Sequence, residues 1–196
     1  MFLPSLSGLF FFNISTPSVK TLGYFQRSCF RFEHDLRTMF NVVLIEPEIP
    51  PNTGNVGRLC LATESTLHLV KPLGFSLEDR HLKRAGLDYW DEVDVRIWNS
   101  FAQLQQAQLP SARYFFLTTK AKRAYYEIKF TPGDFLVFGR ETKGLAEKLL
   151  AANVDNCITI PMQGTRSLNL ATAVAIVLFE AVRQERSKPS DPTAAV

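Results

Sequence analysis

No Gly-x-Gly occurs anywhere in this chain of 196 residues. Its absence excludes the dinucleotide fingerprint and the usual glycine-rich cofactor loop of Rossmann-type enzymes. Gly-Lys-Ser and Gly-Lys-Thr are missing too, which argues against a nucleotide triphosphatase. There is no Gly-x-Ser-x-Gly nucleophile elbow. Cys29, Cys60 and Cys157 make no Cys-x-x-Cys and no Cys/His ligand spacing, so neither a metal site nor a disulfide framework is expected. Reduced thiols fit best. His34, His68 and His81 pair with no readable nucleophile, and His68, set in an apolar strand, reads as a packed side chain. Net charge is only +3, so any nucleic-acid contact must come from a local patch rather than bulk charge. No apolar run reaches transmembrane length.

The length suits one domain with a sizeable core. Residues 1–38 read differently from the rest. They hold Phe10-Phe11-Phe12, scattered serines and Lys20, Arg27, Arg31 and Arg37, with Glu33 and Asp35 as the acids. Three readings compete: sequence upstream of the true start, an organelle transit peptide, or a secretory signal. The last is weakened by the lack of a basic residue before the apolar run. Under all three, the domain is expected at 39–186. Residues 187–196 are Pro/Ser-rich and read as a frayed tail.

Within 39–186, β-branched and aromatic runs alternate with helical patterns. Strands are expected at Phe40–Ile45, Leu67–Val70, Val93–Trp98, Tyr114–Thr118, Phe135–Phe138 and Ile158–Ile160. Pro50-Pro51 leads into a helix capped by Asn52 or Thr53 and running to about Glu64, and Ser100 caps a short one. A long helix is expected from near Ser167 to about Arg186. It is apolar nearly all round, which points to a subunit interface or to a central core helix. The alternation implies an α/β fold, a mostly parallel sheet with helices on both faces.

Three short motifs fall where strands give way to helices: Asn52-Thr53-Gly54-Asn55-Val56-Gly57-Arg58, Phe138-Gly139-Arg140-Glu141-Thr142-Lys143-Gly144-Leu145, and Ile160-Pro161-Met162 leading to Ser167-Leu168-Asn169. Loops at such positions carry ligand sites in α/β proteins, and three of them can converge on one pocket. The site they imply is built from backbone and amides. Gly139 allows close approach after a strand. Asn52, Ser167 and Asn169 offer neutral hydrogen bonds. Arg58 offers a fork suited to phosphate, which Glu141 could hold in place. Taken singly, Asn52 and Ser167 read equally well as helix caps, and Arg58–Glu141 as an ordinary ion pair.

In that order, N-x-G-x-x-x-R, F-G-x-E-x-x-G-L and I-P-M…S-L-N, the motifs resemble the SpoU branch of the SPOUT methyltransferases, knotted α/β enzymes that methylate RNA 2′-hydroxyls with S-adenosylmethionine. Glu46-Pro47-Glu48-Ile49-Pro50-Pro51-Asn52-Thr53-Gly54-Asn55 and Arg84-Ala85-Gly86-Leu87-Asp88-Tyr89-Trp90 further resemble the small single-domain TrmL (YibK) subfamily, which modifies the wobble nucleotide of leucine tRNAs. The resemblance covers about residues 39–186, and Met39 matches where such proteins begin. Arg140 stands where a proline is often found, and Phe179 where some members carry tyrosine.

The resemblance implies a C-terminal trefoil knot. It implies that Leu117, Gly139, Ile160, Met162, Ser167 and Leu168 bind S-adenosylmethionine, and that Arg58, Asn52, Glu141, Ser167 and Asn169 form the catalytic set, with no metal. It implies a homodimer, joined through the apolar last helix, and no membrane association. The expected partner is the anticodon stem-loop of tRNA, with Arg80, Lys83, Arg84, Lys120, Lys122, Arg123, Lys143 and Arg166 as candidate contacts. The expected compartment is the cytoplasm, or an organelle if residues 1–38 are a transit peptide. The rival readings are another tRNA position or rRNA as substrate, a non-catalytic RNA-binding knotted protein, and a small-molecule α/β enzyme.

Overall fold

In the computed structural model, residues 39–76 and 89–187 are described. The elements run β1 (Asn41–Ile45), α1 (Pro50–Ala62), β2 (Thr66–Val70), β3 (Val95–Trp98), α2 (Phe101–Gln106), β4 (Tyr114–Leu117), β5 (Phe135–Phe138), α3 (Glu147–Ala151), β6 (Cys157–Ile158) and α4 (Leu170–Arg186). The strands form a six-stranded sheet in the order β3-β2-β1-β5-β4-β6. Every pairing is parallel, so the sheet is parallel throughout rather than mostly so.

Strands covered on both faces should read as unbroken apolar runs, and these do. Val42 and Leu44 of β1 point to one face with Leu67, Leu69, Leu136 and Phe138, where α1 and α4 cover them. Val43 points to the other with Phe116 and Val137, under Leu104 of α2 and Leu149 and Leu150 of α3. His68 is a buried polar exception whose ring is fully paired, whereas the buried Tyr114 hydroxyl on β4 has no hydrogen-bond partner among the described residues. The buried His68 ring accepts from Trp98 Nε1 at 3.0 Å and lies 3.1 Å from Asn41 Oδ1, so its Nε2 carries the proton. Burial, with Arg96 nearby, holds its pKa down at about 3. His68 is a packed side chain, as its strand setting implied.

Several boundaries differ from the sequence expectation. Neither Asn52 nor Thr53 caps α1. The helix starts earlier, at Pro50, because proline suits the first helical turn where no N–H is needed. The long helix starts at Leu170, and Asn169 rather than Ser167 caps it, accepting from Ala171 N at 2.9 Å. β3 begins only at Val95, after a single 3₁₀ turn at Trp90–Glu92. β6 ends at Ile158, with Thr159 making an isolated bridge to Ala124. Helix α3 was not anticipated, since its five residues are too few to show a period. Ser100 does cap α2, accepting from Gln103 N at 3.1 Å.

α4 is not buried all round. Leu170, Val174, Val177, Leu178 and Ala181 are buried against the sheet and α1, while Phe179 remains 47% exposed. After β6 the chain runs beside the β4–β5 connection. Thr159 N donates to Arg123 O and Tyr125 N donates to Thr159 O, both at 2.9 Å. It then turns back to begin α4. This path is consistent with the knot that the family resemblance implies.

Candidate active site

The strand order reverses beside β1: β2 and β3 extend one way, β5 and β4 the other. In open α/β sheets, ligands bind at the carboxyl ends of strands at such a switch point. A cavity of about 530 Å³ opens there, walled by the loops after β4, β5 and β6 and by the start of α1. Leu117, Gly139, Ile160, Met162, Ser167 and Leu168, all expected at a cofactor site, line it. Asn52, Glu141 and Asn169 line it as well. The size suits a small-molecule ligand. Its walls pair apolar Leu117, Ile160, Met162 and Leu168 with polar Thr118, Ser167 and backbone. That mixture fits a nucleoside carrying an amino-acid tail, so the residues present suit S-adenosylmethionine.

The loop after β5 sets the shape of this cavity. Gly144 has φ +66, a conformation natural to glycine, and its N–H donates to Arg140 O at 2.9 Å, closing the loop on itself. A Cβ at Gly139 would lie 2.1 Å from the Gly144 carbonyl carbon and 2.3 Å from Leu145 N. Glycine at 139 is therefore required by the folding back of the loop, before any ligand is considered.

Three successive residues of that loop tie it to the segment after β1. The Arg140 guanidinium pairs with Glu46. Glu141 accepts from Glu48 N at 2.8 Å, Ile49 N at 3.2 Å and Asn52 Nδ2 at 3.0 Å. Thr142 donates to the Glu48 carboxylate from its backbone N at 3.1 Å and from its hydroxyl at 2.7 Å. The Thr142 hydroxyl bond is the main reason the Glu48 carboxyl titrates below its ordinary range. Glu46 holds φ 53, rare for a residue with a side chain, where β1 turns toward the cavity. Glu141 thus stands at the N-terminal end of α1, where its carboxylate takes the N–H groups of the two residues before the helix and faces the positive end of the helix dipole.

The network continues to the second helix. Asn169 Nδ2 donates to Asn52 Oδ1 at 2.9 Å, while Asn169 Oδ1 caps α4. Glu141, Asn52 and Asn169 therefore link the N-termini of α1 and α4 across one wall of the cavity. This corrects one expectation: Glu141 does not hold Arg58, because its oxygens are taken by α1. Arg58 is also absent from the cavity lining. It lies on the exposed side of α1, with its guanidinium carbon 4.6 Å from the centre of the Tyr89 ring.

Among the motif side chains expected to act on substrate, Arg58 and Ser167 make no hydrogen bond or ion pair with the described residues, and the buried Thr53 hydroxyl is also without a partner among them. Ser167 is exposed on the cavity wall, with its hydroxyl unbonded among the described residues. Lys120, Lys143 and Arg166 line the rim, and Lys120 pairs there with Glu147. Arg80, Lys83 and Arg84, with the Arg84–Asp88 stretch, lie outside the described residues. Glu48 and Thr142 were missed as site residues. Their sequence signal was present in the Glu46–Asn55 and Gly139–Leu145 motifs, but nothing local says that one carboxylate reaches across 94 residues. Among the described residues, no cluster of His, Cys, Asp and Glu could hold a metal ion, and no helix is long and apolar enough to cross a membrane.

Comparison with known proteins agrees with this geometry. A tRNA (cytidine(34)-2′-O)-methyltransferase of Polaromonas sp. is 51% identical over 149 residues, covering 74% of this chain and 91% of the relative. A solved structure described as giving insight into 2′-OH methylation of C/U34 on tRNA superposes with a TM-score of 0.73 at 46% identity, covering 77% of this chain and 99% of that one. An AdoMet-bound rRNA methyltransferase from Sinorhizobium meliloti gives a TM-score of 0.65 at 26% identity, over 77% of this chain and 57% of that one. The SpoU rRNA methylase family matches residues 39–179, and this chain belongs to that family.

Proposed function

We propose that this protein transfers a methyl group from S-adenosylmethionine to the 2′-hydroxyl of the wobble nucleotide, position 34, of leucine tRNAs, at cytidine or modified uridine. The observation that carries the reading is the convergence of all three motifs on one cavity at the switch point of the sheet, the first through Asn52 at the start of helix α1 rather than through a loop, the others through the loops after β5 and β6. High identity to relatives named for cytidine-34 methylation supports the position.

S-adenosylmethionine supplies an electrophilic sulfonium methyl when bound, and Leu117, Gly139, Ile160, Met162, Ser167 and Leu168 would hold it. The chain's own task is to fix the geometry of the reacting groups. Glu141, Asn52 and Asn169 hold the wall rigid through the two helix ends. With its oxygens already occupied, Glu141 is a positioning group rather than a base. Arg58 remains protonated and is a poor base. Its role in the proposal is to grip an RNA phosphate and so hold the substrate in line with the donor. Ser167, free on the cavity wall, is placed to meet substrate or donor.

Recognition falls to a single-stranded loop, since A-form grooves hide base edges. An anticodon loop meets that need. Rim cations Lys120, Lys143 and Arg166, with Lys122 and Arg123, supply phosphate contacts. We assign the working domain to 39–186 and the working form to a homodimer packed on the exposed stripe of α4. We assign the protein to the cytoplasm, or to an organelle if residues 1–38 direct it there. The test is transfer of label from S-adenosylmethionine to bulk tRNA from cells lacking this activity. Label in ribosomal RNA alone, or in no RNA, would refute the reading.

A further inference from the structure

The Tyr89-Trp90 pair has no part in the cavity, yet it touches α1 at the glycines of the first motif. The Tyr89 hydroxyl donates to Gly54 O at 3.2 Å. A Cβ built on Gly57 would stand 2.6 Å from the Trp90 ring. Gly57 leaves α1 bare where the Trp90 ring rests, and one turn earlier the Gly54 carbonyl receives the Tyr89 hydroxyl. Glycine inside a helix costs roughly 1 kcal/mol against alanine, and at Gly57 the close Trp90 contact is what the absent side chain permits.

Here the Tyr89 ring faces Arg58, 4.6 Å from ring centre to guanidinium carbon. That lies well inside the range of a cation–π contact, about 6 Å. Arg58 makes no ion pair or hydrogen bond through its side chain with the described residues. A carboxylate in Tyr89's place would occupy two N–H groups and cancel the charge. An aromatic face restrains a long, flexible side chain while leaving its donors and its charge available to a phosphate.

Resting on the reading of RNA methyl transfer above, we propose that Tyr89 is the positioning residue for Arg58: its ring, itself fixed by Gly54 and by Trp90 seated on Gly57, holds the guanidinium ready for an RNA phosphate. Gly57, the Gly54 carbonyl and the Tyr89-Trp90 pair then serve one device.

The test is a double-mutant cycle on the full chain, with Tyr89→Leu, Arg58→Ala and the pair, and with Tyr89→Phe as the conservative variant. Turnover on tRNA, the KM for S-adenosylmethionine and the unfolding midpoint are measured for each. Tyr89→Leu is expected to slow turnover about tenfold, the scale of one such contact, with the KM for S-adenosylmethionine unchanged. Tyr89→Phe should recover most of the rate, because the ring is retained. Added to Arg58→Ala, Tyr89→Leu should slow turnover no further. Multiplying losses, or a Tyr89→Phe variant as slow as Tyr89→Leu, would overturn the proposal. If the wild type methylates no RNA, the functional reading fails, and the cycle on the unfolding midpoint decides the pairing. Non-additive midpoint shifts would support it and additive ones would overturn it.

Discussion

Glu141 and Asn52, 89 residues apart, share a 3.0 Å hydrogen bond from the asparagine amide to Oε1 of the carboxylate. That bond is the centre of a small network. On one side Glu141 receives two backbone N–H groups at the start of α1; on the other Asn52 receives Asn169, which caps α4. Two helices and the cavity loop are registered by three side chains. The network gives these motif residues a mechanical function separate from any contact with substrate.

Glu141→Ala should therefore destabilise the fold as well as slow the enzyme. It leaves the N–H groups of Glu48 and Ile49, just before α1, and the Asn52 amide without their acceptor, at about 2–3 kcal/mol for a charge-assisted set. Denaturant unfolding measures this. Glu141→Gln, which keeps one acceptor, should cost less. A Glu141→Ala variant as stable as wild type would mean that water replaces the network freely.

Arg58→Ala should do the opposite. The side chain is exposed, contacts Tyr89 and lies away from the cavity. Stability and the calorimetric affinity for S-adenosylmethionine should stay close to wild type. Turnover should fall by about 100-fold, the scale for loss of one substrate-positioning contact. Equal losses in affinity and turnover would contradict this division of labour.

The fold was largely legible from sequence because its strands are buried on both faces and read as unbroken apolar runs, as in Val42-Val43-Leu44 and Phe135–Phe138. The glycine loops were legible because backbone demands are local: Gly139 and Gly144 announce a chain folded back on itself. What escaped was long-range pairing. Arg58 and Glu141 looked like natural partners, being opposite charges within motifs. The structure separates them, because Glu141 is taken by the N–H groups of Glu48 and Ile49 ahead of α1 and by the Asn52 amide. Asn169 rather than Ser167 caps α4 for a related reason: both are good caps, and only the path of the loop after β6 decides between them. Helix α3 was invisible because five residues show no period.

Acid stability should carry the signature of His68. Burial, with Arg96 beside it, lowers its pKa from 6.5 to about 3. The neutral ring is thus favoured in the folded state, so this contribution is fully present above about 6.5 and is lost as pH falls toward about 3. The slope is at most about 1.4 kcal/mol per pH unit. Unfolding free energy measured across this window should fall more steeply for wild type than for His68→Gln. Identical slopes would mean that His68 is not the group responsible.

The exposed stripe of α4 should hold the proposed dimer together. Phe179, 47% exposed beside buried Leu178, is its largest apolar side chain. Light scattering at micromolar concentration should give twice the mass of one chain for wild type, and one chain's mass for Phe179→Glu. A monomeric wild type would remove the dimer from the account.

The central claim is methyl transfer to position 34. The direct measurement is mass spectrometry of nuclease fragments of leucine tRNA taken from cells lacking this activity, after incubation with the purified protein and S-adenosylmethionine. A gain of one methyl on the ribose of nucleotide 34 is expected, formed far more slowly by Arg58→Ala. An unmodified nucleotide 34, with methylation at another tRNA position or in ribosomal RNA, would contradict it.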